Sequence, residues 1–228
     1  MKRSAELLMK ILALEFSSTQ RSVAVIDAHG TASPRSLAEI IETGGRASKA
    51  FELIETALRE AQLEREQIEC MAIGLGPGSY TGIRSAIALA QGWQLASDIR
   101  LLGIDSTECL ASQAQIEGIT GRVHFVIDAQ RNEFYLTKYE ITAESIVPVE
   151  ALRLATLAEI LEGQKDGGII AGPEAPKWFT GARLLFPRAS TLGQLAATTT
   201  DFKRGDKLKP IYLRETNFVK APLPRIFP

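Results

Sequence analysis

The residues best suited to chemistry lie together in Gly74-Leu75-Gly76-Pro77-Gly78-Ser79-Tyr80-Thr81-Gly82-Ile83-Arg84, between an apolar run (70–75) and a longer apolar stretch of helical character (83–96). A glycine-rich turn that opens a helix can hold a phosphate on its backbone N–H groups, helped by the helix dipole. This one has no GK[ST] and no GxGxxG spacing, and Pro77 removes a donor where a cradle needs one. Three uses remain open: a structural turn built on Gly76, Pro77, Gly78 and Gly82, a surface presented to a partner, or a phosphate site. The first two are compatible. Arg84 falls in the first helical turn, where the macrodipole disfavours a cation. It is either an isolated surface charge or held by a salt bridge or interface hydrogen bond.

Other candidates are sparser. Glu15, Asp27, Asp105 and Asp128 close strand-like runs, where carboxylates can serve a nucleotide site; without a full set of phosphate loops, strand-end capping is the safer account. His29 and His124 are far apart, with no HExxH to bind zinc and no GxSxG elbow for a serine hydrolase. The net charge of −1 sets up no global field for nucleic acid. Arg122, Arg131, Lys203, Arg204, Lys207 and Lys209 could face RNA, but they lack interleaved aromatics and read as solvated charges. Cys70 and Cys109 lie in apolar surroundings and are expected to be buried free thiols of a reducing compartment. The apolar run near the start is too short for a signal segment, and none reaches membrane-spanning length. A soluble cytoplasmic protein follows, with residues 1–8 expected to be a disordered extension.

The elements that must position these residues alternate. Strands are expected over 10–16, 22–27 and 35–43, the last with some helical character. An amphipathic helix follows, its stripe formed by Ala47, Ala50, Phe51, Ile54, Leu58 and Ala61, with Gly45 or Ser48 at its start. A buried strand (70–75), the helix after the glycine turn, a strand (101–104) and a helix capped by Ser106 and running to about Ile116 complete a first unit. The pattern restarts near Gly121, with strands over 122–129, 133–141 and 146–149 (Pro148 limiting the last), a helix capped by Thr156, a strand over 168–172 and a helix over 192–199. Two units result, 1–119 and a smaller 120–228 whose C-terminal tail packs back. The helix after the glycine turn is apolar nearly all round and needs more than one covering surface.

That order and the glycine motif resemble the actin-like, sugar-kinase and Hsp70 ATPase-type (ribonuclease H-like) fold, and within it the TsaB (YeaZ-like) family. The likeness is carried by residues 11–19, by the motif over 76–84, by Asp128-Ala129-Gln130-Arg131-Asn132-Glu133-Phe134-Tyr135, and by Pro210-Ile211-Tyr212-Leu213-Arg214. The resemblance implies an α/β protein of two mixed sheets flanked by helices. It also implies a non-catalytic subunit that binds and activates TsaD for threonylcarbamoyl transfer to adenosine 37 of tRNAs reading A-starting codons. The alternatives are a stand-alone ATPase or kinase of the superfamily, or a homodimeric scaffold with another partner. The family's dimer surface maps to the two long helices, making Phe51, Ile54, Leu58, Tyr80, Ile83, Arg84, Ile87 and Trp93 the expected partner interface. Further implications are a homodimer when alone, a TsaE-like ATPase as a second partner and tRNA contact only through the complex. No metal or cofactor of its own is expected; ATP or ADP would sit at the interface shared with TsaD. The chain departs from the pattern in having Glu15 for the usual Asp, Ala47 for a His, and Ser85 for a Gly.

Overall fold

The computed structural model describes residues 9–29, 34–44 and 49–213. In chain order the first unit comprises β1 (Lys10–Glu15), β2 (Gln20–Asp27), β3 (Arg35–Thr43), α1 (Ala50–Glu60), β4 (Cys70–Gly74), α2 (Tyr80–Ala96), β5 (Arg100–Ile104) and α3 (Ser106–Ile116). The second comprises β6 (Gly121–Asp128), β7 (Glu133–Ile141), β8 (Ile146–Thr156), α4 (Leu157–Gly163), β9 (Ile169–Gly172), α5 (Ala175–Trp178) and β10 (Arg183–Leu184), and is followed by α6 (Ala189–Ala196). The sheets run β3-β2-β1-β4-β5 and β10-β9-β6-β7-β8. Each is an antiparallel meander of three strands extended by two parallel ones. The two units therefore share one topology, a repeat invisible residue by residue. This is the expected architecture of two mixed sheets flanked by helices.

Alternation along β1, β4 and residues 23–26 of β2 explains why these central segments are apolar on both faces. Leu12, Leu14, Val23, Val25, Met71 and Ile73 pack into the core beneath α1 and α2. Their neighbours Ile11, Ala13, Ala24, Ile26, Cys70 and Ala72 pack on the other face with Leu192 and Ala196 of α6. Both faces are covered, as a sheet with parallel crossovers requires. Helix α3 serves both units: Cys109 joins the first sheet's core, whereas Leu110, Ala111 and Ala114 join the second's. Helix α6 returns to the first sheet, with Ala189 N donating to Ser22 Oγ at 2.9 Å and the Arg188 guanidinium paired with the Glu39 carboxylate.

Several expectations shift. β3 is a strand, as read. β8 continues well past Val149 to Thr156; it is an edge strand whose charged Glu150 and Arg153 mask its period, and Pro148 fits beside a register irregularity. Asp105, not Ser106, caps α3, accepting from Thr107 N at 2.7 Å. Thr156 caps α4 in a reciprocal box with Glu159. Helix α6 starts at Ala189, three residues before the expected Leu192. Both cysteines are free and buried, and burial pushes the Cys70 thiol up to about 12. The expectations for residues 1–8, for the start of α1 at 45–48, for Arg214 and for the rest of the tail lie outside the described residues.

Candidate functional site

The glycine turn joins β4 to α2 and lies against the end of β1. Gly76 and Gly78 adopt φ of 89° and 145°. A Cβ on Gly78 would overlap the Ser17 carbonyl, and one on Gly82 the Phe16 carbonyl. These glycines permit close backbone approach. Ser79 N donates to Ser17 O at 2.6 Å, Gly76 N to Ser106 Oγ at 3.1 Å, and Gly82 N to Ser79 Oγ, the helix cap, at 3.2 Å. None of these three N–H groups is left for an anion, which favours the structural turn over the phosphate cradle.

The turn launches α2 beside α1, and a groove of about 790 Å³ runs between the two helices. Phe51, Leu89 and Trp93 line it, over a floor that includes Ile54 and Ile68. Phe51 is 70% exposed, a large apolar ring left in water. Ala88 and Gly92 on α2 are exposed and small, so another backbone can approach closely there.

A second hollow of about 720 Å³ opens on the other side of the turn, between the two units. One wall is formed by Ser17, Ser18, Thr19, Ser79 and Tyr80, the other by Asp128, Gln130, Tyr135, Glu174 and Lys177. At its rim Gln130, Arg131 and Asn132 hold successive φ of 63°, 59° and 60°, a strained run for non-glycine residues. Between cleft and groove, the Arg84 guanidinium lies 4.0 Å over the Tyr80 ring and its Nε donates to the Tyr212 hydroxyl at 3.0 Å. Tyr80 and Tyr212 stack at 5.7 Å, and Ile211 N donates to Leu75 O at 2.9 Å. The glycine motif and the C-terminal motif thus meet.

A family model described as "TsaD: tRNA N6-adenosine threonylcarbamoyltransferase" matches residues 45–203. The chain belongs to this family, in its TsaB (YeaZ-like) branch. The tRNA threonylcarbamoyladenosine biosynthesis protein TsaB of Escherichia coli K12 is 28% identical over 137 residues, 58% of this chain and 55% of that protein. TsaB of Haemophilus influenzae is 25% identical over an alignment of 245 positions, covering 94% of this chain and 98% of that protein. The matched region spans about half the length of the first two curated relatives, from E. coli and Bacillus subtilis. Among solved structures, YeaZ from Pseudomonas aeruginosa shares the fold with a TM-score of 0.73 at 23% identity, covering 90% of this chain and all of that one.

Against the interface expected of a TsaB-type chain, the structure sorts the candidates by exposure. Phe51, Tyr80 and Arg84 are exposed, and Trp93 is half-buried in the groove wall. Ile54, Leu58, Ile83 and Ile87 are instead core residues, 2%, 3%, 0% and 6% exposed. The correction has a simple cause: the apolar stripe of an amphipathic helix turns inward, so the most regular positions of the pattern are the least available to a partner. Leu89, which spacing of four from Trp93 would have found, was missed, as was Tyr212. Among the strand-end acids, Asp27 is held below its usual range by the backbone N–H of His29, whereas burial raises Asp105. Glu15 is fully buried and burial raises its carboxyl; it does not line the cleft. His124 is buried in β6 and His29 sits on the surface beside Asp27, and no metal-ligating cluster occurs among the described residues.

Proposed function

We propose that this chain is a non-catalytic accessory subunit that docks onto a TsaD-type enzyme through the groove between α1 and α2. In this reading it supports threonylcarbamoyl transfer to adenosine 37 of tRNA in the cytoplasm. The observation that carries this reading is the groove itself: an apolar hollow of about 790 Å³ edged by an aromatic ring that is 70% exposed. A ring so placed is a typical interface anchor. The family relation supports the choice of partner. The same face would pair two copies when no TsaD is present, with a TsaE-like ATPase and tRNA engaging the assembled complex and ATP or ADP held at the shared interface. The polar cleft favours the alternative of an ATPase in its own right. Against it, the acid that ends β1 is a carboxyl enclosed in the fold, and the Gly76, Ser79 and Gly82 N–H groups of the turn are engaged within the chain.

The test is binding of purified TsaD to the wild-type chain and to Phe51→Asp. The substitution should weaken binding at least about 10-fold, worth about 1.4 kcal/mol, while an exposed change leaves stability within about 0.5 kcal/mol. Equal binding by both chains would reject the groove as the docking face. ATP turnover by the isolated chain would reject the accessory role.

A further inference from the structure

Glu15 is 0% exposed, and its carboxylate meets hydroxyl and amide donors in place of a cation. Oε1 accepts from Ser17 N at 2.8 Å and Oε2 from Ser106 Oγ at 2.9 Å. From each acceptor a path leads to the glycine turn. Ser17 O receives Ser79 N, the helix-capping residue, at 2.6 Å. Ser106 Oγ receives Gly76 N at 3.1 Å, and Ser106 N donates to Gly76 O at 2.9 Å. The two paths close into a ring, Glu15–Ser17–Ser79 and Glu15–Ser106–Gly76, joined through Pro77 and Gly78. The carboxyl also fills the space beside Gly74, where any Cβ would collide with it. Three strand-end connections, β1 to β2, β4 to α2 and β5 to α3, therefore register on one side chain.

We infer that Glu15 is a positioning residue: its buried carboxyl sets the path of the glycine turn and so the pose in which α2 presents the docking groove. A carboxyl enclosed at the end of β1 is thus used to aim a helix. This rests on the docking reading above only for its consequence; the ring itself is a property of the isolated chain. The two oxygens accept from the Ser17 backbone and the Ser106 hydroxyl, with the Ser17 hydroxyl also bonding the carboxyl; burial, with the nearby Asp105, raises the carboxyl despite these bonds. A neutral amide can keep most of the ring, accepting from Ser17 N and donating to Ser106 Oγ. An apolar side chain keeps none of it and orphans buried donors.

The experiment compares wild type, Glu15→Gln, Glu15→Ala and Ser106→Ala, by amide hydrogen exchange of the isolated chain and by affinity for TsaD. Glu15→Ala should speed exchange at Gly76 and Ser79 at least about 10-fold relative to the β4 amides and weaken TsaD binding about 10-fold; Glu15→Gln should restore both. Ser106→Ala cuts one path only, so Gly76 should be affected and Ser79 much less. If Glu15→Ala does not fold, Ser106→Ala and Glu15→Gln decide. Unchanged exchange at Gly76 in Ser106→Ala, or a Gln variant with the loosened turn expected of Ala, overturns the proposal. Failure of wild type to bind TsaD sinks the docking reading alone, because the exchange pattern still decides the role of Glu15.

Discussion

The groove between α1 and α2 and the cleft between the two units enclose similar space, about 790 and 720 Å³, and lie on either side of one turn. Their walls are opposite in kind. The cleft is ringed by hydroxyls, two acids, a lysine and a strained loop, the groove by an aromatic ring, an indole and small helix residues. A reader looking for an enzyme would choose the cleft. Yet the turn that borders it holds its Gly76, Ser79 and Gly82 N–H groups in internal hydrogen bonds, and Glu15 points into the fold. The apolar groove, which has no chemistry of its own, is the region left unsatisfied in water. In this chain the surface needing a partner has separated from the surface that looks like a site.

The sharpest way to break the comparison is to damage the element both regions share. Ile87 is 6% exposed beneath the groove. Ile87→Asp would bury an uncompensated carboxylate, a loss of about 3–5 kcal/mol. Groove and cleft should fail together in urea unfolding, and the variant should behave as destabilised in bulk. If it folds normally and loses only partner binding, Ile87 belongs to the interface after all. Gly78→Ala comes next. Its Cβ meets the Ser17 carbonyl at a φ of 145°, combining backbone strain with overpacking, together about 3 kcal/mol. A Tm equal to wild type would show that the turn yields easily and sets neither surface.

The pH dependence separates the two regions more gently. Burial raises the Glu15 carboxyl above its model-peptide value of 4.5. The native state then holds a proton that the unfolded chain releases, so this contribution to stability is fully present below that value and is lost as pH rises through the raised one. Asp105, raised by burial, acts in the same sense. Glu15→Gln should flatten the decline in unfolding free energy with rising pH. A slope identical to wild type would mean that Glu15 is not the titrating group.

How much of this was legible follows from what each signal measures. Glycine spacing marked the turn because only close backbone approach requires it, and Gly78 and Gly82 both abut carbonyls. Apolar periodicity marked α1 and α2 but could not separate core from interface: Ile54 and Phe51 lie three residues apart on one stripe, yet one is 2% and the other 70% exposed. The cleft was illegible because residues distant in the chain meet there, Ser17 with Asp128 and Tyr80 with Tyr212. Glu15 read as a strand-end cap because a sequence records a carboxylate without recording which way it turns.

The smallest expected effect concerns the ridge between the two regions. Arg84 lies over Tyr80 and bonds Tyr212 through Nε, so its fork is used in two directions at once. Arg84→Lys keeps the charge but gives up the planar fork: an ammonium over the ring loses the Nε donor to the hydroxyl. At an exposed site the stacking is worth about 0.5–1 kcal/mol, and the hydrogen bond a similar amount. The chain should therefore lose no more than about 1 kcal/mol in urea, while the tyrosine pair loosens, visible as altered Tyr212 ring signals by NMR. Tyr212→Phe, which removes only the hydroxyl, should lose less still. The partner decides what the ridge belongs to. If Arg84→Lys weakens TsaD binding as strongly as Phe51→Asp does, the docking face runs past the groove and over the turn toward the cleft. If binding holds, Arg84 ties the C-terminal motif to α2, and the groove alone is the interface.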